Sequence, residues 1–216
     1  MKKLLIACLV LVTGATAAFA QQDPLVSNYR FNRFLLNPAV AGTAGQWVGR
    51  ASYRSEWTRF PGSPITANAS FHGLVGNRVG VGLNLMSDVI GITRTYGAQM
   101  AYSYQIPFDN FNLSLGIGAR AMNWDLDESQ ANPLVPNDPA IFGNDWIGDL
   151  SFGAYLYGER FWAGLSAPQV FQITDDEAYS LSTHIYGMGG YKFSLAGDKV
   201  GLEPMAFLRY VPEGGI

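Results

Sequence analysis

From Trp47 onward the side chains alternate with period two, over stretches longer than an ordinary sheet strand. Trp47, Gly49, Ala51, Tyr53, Ser55 and Trp57 fall on one face of an extended chain, and Val48, Arg50, Ser52, Arg54, Glu56 and Thr58 on the other, because successive strand side chains point to opposite faces. One face is aromatic and small, the other charged and polar. The same split recurs in Ile65, Ala67, Ala69 and Phe71 against Thr66, Asn68, Ser70 and His72, and again in Phe111, Leu113, Leu115 and Ile117 against Asn112, Ser114, Gly116 and Gly118. Read in this way the chain holds nine strands, at about 47–58, 65–75, 78–86, 94–106, 111–124, 146–157, 161–167, 182–195 and 199–210. Globular strands are usually about five or six residues long. A tilted strand that crosses a bilayer core needs roughly 9 to 11, which most of these reach.

Composition agrees. Only 14% of the residues are charged, against about 25% in an ordinary soluble domain. Outside the first twenty residues, no apolar run approaches the roughly 18 needed for a spanning helix. The two remaining classes are a large all-β soluble domain and an antiparallel transmembrane β-barrel. The connections decide between them, since they run about 6, 2, 7, 4, 21, 3, 14 and 3 residues in order. Outer-membrane barrels alternate short periplasmic turns with longer extracellular loops, whereas Greek-key sandwiches follow no such rule. The short connections carry turn residues, as in Gly76-Asn77, Pro107-Phe108-Asp109-Asn110 and Gly158-Glu159-Arg160. Aromatic residues such as Trp57, Tyr96, Tyr104, Trp124, Trp146 and Tyr210 sit toward strand ends, where interface belts place them.

The N-terminus sets the compartment. Lys2 and Lys3 precede an apolar stretch from Leu4 to Val12, followed by Ala18-Phe19-Ala20, the pattern of a secretory signal peptide cleaved after Ala20. The expected organisation is a signal peptide at 1–20, a periplasmic N-terminal segment at 21–46 and an outer-membrane barrel from 47 to 216. Cleavage discards Cys8, which excludes disulfides, thiolate catalysis and Cys-ligated zinc from the mature chain. It leaves 12 basic and 17 acidic side chains, so a basic nucleic-acid footprint is excluded as well. Single-chain bacterial barrels have even strand numbers. Nine strands, with the ninth ending on the outer side, lead us to expect further strands beyond residue 216.

No residues assemble a catalytic, cofactor or metal site. His72 and His184 fall on polar faces and read as hydrogen-bonded lumen histidines. Ser70 shares a face with His72, but residues two apart on a strand are about 7 Å apart, too far for a nucleophile and its base. Gly116-x-Gly118 and Gly80-Val81-Gly82 lack the helix that a dinucleotide fingerprint needs, and inner-face glycines of this kind relieve crowding or permit a bend. Asp125, Asp127 and Glu128, like Asp175, Asp176 and Glu177, read as solvated loop acids rather than calcium ligands, because the glycine and distal glutamate of a calcium loop are missing. Arg50, Arg54, Arg78, Arg120 and Arg209 share inner faces with Glu56, Asp149 and Glu203. Charge on the lipid face costs a few kcal/mol at mid-depth, so Arg50, Arg54, Glu56, Arg120, Asp149 and Glu203 are read as a lumen charge network.

The segment that follows the signal peptide is distinctive: Gln21-Gln22-Asp23-Pro24, Ser27-Asn28-Tyr29-Arg30-Phe31-Asn32, and Leu36-Asn37-Pro38-Ala39-Val40-Ala41-Gly42. Asn37-Pro38 and Ala41-Gly42 are turn signals around the hydrophobic patch Phe31, Phe34, Leu35 and Leu36, which must dock as a plug or a periplasmic lip. Together with Tyr53-Arg54-Ser55-Glu56-Trp57 and Pro61-Gly62-Ser63-Pro64-Ile65-Thr66, this segment resembles the PorP/SprF family of type IX secretion membrane proteins. Here Thr66 stands one position later than the family pattern has it. The resemblance implies an outer-membrane barrel that works with the periplasmic ring and other type IX secretion or gliding components, and that helps export or anchor cargo such as adhesins. Family members are typically longer, a second reason to expect strands beyond residue 216. Tyr29, Phe31, Asn32, Asn37, Pro38, Ala39 and Gly42 are the expected partner-contact residues. The competing readings are a passive channel or small-molecule transporter and, less favoured, an outer-membrane enzyme.

Overall fold

Alternation in the sequence becomes strand pairing in the computed structural model, which describes residues 30–58, 60–126, 144–174, 183–195 and 200–212. The signal peptide, Tyr29 and the acids Asp127, Glu128, Asp175, Asp176 and Glu177 lie outside the described residues. Two 3-10 turns, Arg33–Leu35 and Pro38–Val40, precede the strands β1 (Val48–Ser55), β2 (Ile65–Val75), β3 (Val79–Ile90), β4 (Thr93–Pro107), β5 (Asn112–Leu126), β6 (Asn144–Tyr157) and β7 (Phe161–Thr174). Four shorter strands follow: β8 (Ile185–Tyr191), β9 (Phe193–Leu195), β10 (Val200–Leu202) and β11 (Met205–Tyr210). Nine of them form one antiparallel sheet in the order β1-β2-β3-β4-β5-β6-β7-β8-β11, which does not close on itself, and β9 and β10 pair as a separate ribbon. No helix among the described residues is long and apolar enough to cross a membrane.

The two faces are the reverse of those in a soluble sheet. Asn68, Ser70, Asn84, Gln99, Asp149 and Ser151 are buried on the concave face, while Phe71, Leu85, Met100, Tyr102, Leu165 and Leu208 are exposed on the convex one. Polar side chains inward and apolar side chains outward is the arrangement of a sheet whose outer solvent is lipid. The apolar core is small and lies inside the curve, where Phe34, Leu36, Ala39, Val40 and Ala41 of the N-terminal segment pack against Tyr155, Trp162, Tyr186 and Met188.

Three expectations about the strands need correction. The third strand runs to Ile90, so the third connection is the two-residue Gly91-Ile92 turn rather than a seven-residue loop. Asp88 is the reason, because it points inward and accepts a hydrogen bond from Thr66 Oγ1 at 2.5 Å, which keeps the ladder going past Ser87. Gly91 has φ 61, as a tight turn with glycine in its first central position requires. Strict alternation of long and short connections therefore breaks here, and it breaks again where β8, ending at Tyr191, is followed in the sheet by β11, beginning at Met205. The seventh strand does not stop before Pro168. It continues to Thr174 through a register shift opposite Leu150 and Phe152, with Gln169 at φ 62, a bulge that accommodates a residue with no N–H to donate. The eighth and ninth expected strands each break in two. Lys192 N donates to Arg160 O at 2.6 Å instead of to a strand partner, and Pro204 has no N–H for the ladder.

Candidate functional site

The interior is divided along the strand axis. At the end that carries the short turns at 76–78, 108–111 and 158–160, the chain from Asn32 to Gly42 lies inside the curve of the sheet. Of the two docking modes open to the hydrophobic patch, the structure has the plug. Asn37 and Ala39 are fully buried. Asn37 Oδ1 accepts from Ala39 N at 2.9 Å and so caps the turn Pro38–Val40, while Nδ2 donates to Ala154 O at 3.0 Å and Leu165 O at 3.2 Å on β6 and β7. Ser103 Oγ donates to Ala41 O at 2.8 Å from β4, and Asn32 Nδ2 donates to Ser70 Oγ at 2.6 Å on β2.

The plug rests on glycines. A β-carbon on Gly116 would overlap the backbone of Ala39, one on Gly80 the carbonyl of Ala41, and one on Gly153 the Asn37 amide, while on Gly82 it would lie 2.5 Å from Phe34 Cζ. Inner-face glycines were expected to relieve crowding, and the crowding they relieve is the plug. Gly42 ends the seated segment at φ 72, its own would-be β-carbon 2.8 Å from Gly80 Cα. Neither a side chain nor an ordinary φ fits there.

Arg33 fastens the segment to the far strands. Its guanidinium carbon lies 3.6 Å from the centroid of the Trp162 ring. Nη1 donates to Tyr155 Oη at 3.2 Å and Nη2 to Glu203 Oε1 at 2.8 Å, an oxygen that also accepts from Trp162 Nε1 at 2.7 Å. The break between β10 and β11 is what brings Glu203 to this point. Arg33, Tyr155 and Trp162 were not among the expected site residues. The available signal was parity, because Tyr155, Tyr157 and Trp162 are aromatic at inward positions whose neighbours are serine, glycine and aspartate.

Beyond the plug the interior is polar, and its side chains hydrogen-bond to one another across strands. Asn68 Nδ2 donates to Asn84 Oδ1 at 2.5 Å, Gln99 Nε2 to Ser151 Oγ at 3.4 Å, and Arg120 Nη2 meets Asp149 Oδ2 at 2.6 Å. Between these groups and Leu35 and Leu36 remains a cavity of about 20 Å³, room for about one water molecule. The residues of the expected charge network each meet a partner. Its members pair as Arg120 with Asp149, Arg54 with Glu56 and Glu203 with Arg33, while Arg50 Nη1 lies 3.4 Å from His72 Nε2. Arg209 Nη2 lies 2.7 Å from His184 Nε2, with Gln169 Oε1 3.2 Å from the other ring nitrogen. Arg78 is exposed in the first short turn. Ser70 and His72 point to different partners, Asn32 for the serine and Gly42 with Arg50 for the histidine.

The expected partner-contact residues divide in the same way. Phe31 is 73% exposed, whereas Asn32, Asn37, Pro38 and Ala39 are buried and Gly42 is packed against Gly80. No curated protein and no solved structure matches the chain. Residues 18–215 match the family described as type IX secretion system membrane protein PorP/SprF. That is nearly the whole length, and the chain belongs to this family.

Proposed function

We propose that this PorP/SprF protein is a non-enzymatic outer-membrane component of the type IX secretion and gliding machinery, working as a plugged barrel and not as an open pore. The observation that carries the reading is the seat. The segment from Asn32 to Gly42 fills the short-turn end of the interior and is held by hydrogen bonds to β2, β4, β6 and β7. A passive channel needs a continuous aqueous path, and against β3 to β7 the plug leaves only about 20 Å³, while a wider space of about 480 Å³ lies between the plug and β1. With the plug inside, the surface that the described residues leave for the machinery at this end is the exposed Arg30 and Phe31 and the rim formed by the short turns. We place the short turns, and with them the contact with periplasmic ring components, on the periplasmic side. Export or surface anchoring of cargo such as adhesins follows from membership of such an assembly.

The test is affinity purification from native outer membrane. Periplasmic ring components should be recovered with the protein, and the yield should fall when Phe31 is changed to Ala while the barrel still inserts. Recovery alone or with unrelated porins would remove the reading. Planar-bilayer recordings of the purified protein should show a closed state.

A further inference from the structure

At the short-turn end lies a cleft of about 380 Å³ bounded by the plug, β1 and the turn between β6 and β7. Its volume is that of a ligand pocket. Arg30, Arg33, Arg50, Arg160 and Lys192 line it, against the acids Glu159 and Glu203. Glu203 already serves Arg33 and Trp162, so the cleft carries an excess of positive charge.

One buried side chain at its wall turns a donor toward another donor, with no acceptor among the described residues. His72 is 2% exposed, and one face of its ring is covered by Phe34 at 4.9 Å between centroids. The Gly42 backbone N–H reaches His72 Nδ1 at 3.3 Å. A backbone amide only donates, so Nδ1 accepts, the ring is neutral and its proton sits on Nε2. Nε2–H then faces Arg50 Nη1 at 3.4 Å, and a guanidinium also only donates. Two N–H donors thus converge with no acceptor between them among the described residues. A buried donor without a partner costs about 1 to 3 kcal/mol, and the group that satisfies this pair is an anion with two oxygens, which takes one hydrogen bond from each.

We propose that Arg50 and His72 form a carboxylate-binding site for an acidic peptide segment of a partner protein. A peptide is favoured over a phosphorylated lipid headgroup by the rest of the wall. Phe31 and Tyr157 supply aromatic surface of the kind that protein contacts use, and Glu159 can accept from peptide amides, which a lipid headgroup lacks. The proposal deepens the reading of the short-turn face as the contact side, and rests on it only for the partner's location.

The experiment uses the full chain, purified in detergent, with a fluorescein-labelled hexaglutamate peptide read by fluorescence anisotropy. Binding is expected for hexaglutamate and not for hexaglutamine, with affinity falling about tenfold in Arg50→Gln, the loss of one charge-assisted hydrogen bond. Arg50 lies on the exposed edge strand β1, so this variant keeps the fold, and Arg50→Lys should recover part of the affinity. Nitrogen NMR of His72 should show the Nε2–H form, with that resonance shifting on peptide addition. Equal affinity in wild type and Arg50→Gln would overturn the site. Binding to phosphatidylglycerol vesicles with none to the peptide would replace the peptide by lipid, and tighter peptide binding in Asp23→Asn would show that the chain's own acid is the occupant. Ring components that still co-purify while Arg50→Gln leaves peptide affinity unchanged would sink this site alone and leave the proposed function standing.

Discussion

The two halves of the interior are built from the same strands yet satisfy themselves by opposite means. At the short-turn end β3, β5 and β6 present Gly80, Gly116 and Gly153 inward, and the space is filled by a segment from outside the sheet. At the other end β2 to β6 present Thr66, Asn68, Asn84, Asp88, Gln99, Arg120, Asp149 and Ser151, whose hydrogen bonds run between strands. One half is incomplete without its plug, and the other is complete without any guest. Opening is therefore expected to begin at the glycine end, because a seated segment can leave without breaking a strand ladder, whereas the polar end opens only if buried charges separate.

The strongest way to break this contrast is to take away the seat. Gly116→Leu places a β-carbon on the backbone of Ala39, and backbone cannot rotate aside as a side chain can. Expulsion of the plug should cost at least about 4 kcal/mol in denaturant unfolding, the range of mutations that force apart a packed element, and should convert a closed lumen into a conducting one in bilayer recordings. Gly148→Ala is the control, since its β-carbon would meet Ile173 at an ordinary 3.8 Å on the outer face. A Gly116→Leu protein as closed and as stable as Gly148→Ala would end the distinction between the halves.

Sequence reasoning reached the sheet but not the seat, for a physical reason. Alternation is a local signal, and it assigned Asn68, Ser70 and Asp149 to the inner face correctly because each needs only its neighbours to be read. It misplaced the ends where a tertiary partner decides. Ser87-Asp88 looks like a turn until Thr66 is known to lie opposite, and Pro168 looks like a stop until β6 is seen to tolerate a bulge. The plug shows this most sharply, because Asn37 finds its acceptors on Ala154 and Leu165, 117 and 128 residues away. Turn chemistry marked Asn37-Pro38, and nothing local told which wall it would cap. The inner glycines and the inward aromatics Tyr155 and Trp162 were visible as departures from a polar face, and together they are the sequence trace of a guest.

A smaller effect tests the polar half. Asp149 and Arg120 face each other in register, with the two side chains 1% and 12% exposed. Asp149→Ala takes the carboxylate away from a nearly buried guanidinium, which should cost about 3 kcal/mol, while conductance stays closed because the plug is untouched. The double change Arg120→Met with Asp149→Leu should regain most of that loss, as apolar replacements of buried ion pairs do. Conduction in Asp149→Ala would mean that the polar half, and not the plug, is the gate.

Asn37→Ala probes the seat more gently, through three hydrogen bonds made by one amide with Ala39, Ala154 and Leu165. At about 0.7 kcal/mol net for each, in the lower part of the usual range, about 2 kcal/mol is expected. Because the glycines still accept the backbone, the plug should stay in place and raise only the frequency of brief openings. Long openings would show that the amide, rather than the glycine surface, holds the segment.

The smallest effect belongs to the edge that neither half controls. Arg54 and Glu56 form an ion pair on and just beyond β1, with side chains 45% and 37% exposed, and exposed pairs of this kind contribute under about 1 kcal/mol. Glu56→Gln should leave both stability and conductance within error of wild type and be insensitive to added salt. A loss as large as that of Asp149→Ala would mean that β1 is covered in the membrane by another strand or chain that buries the pair. The glycine end and the polar end would then share a third wall, and the site at Arg50, on the same strand, would lie beneath that wall.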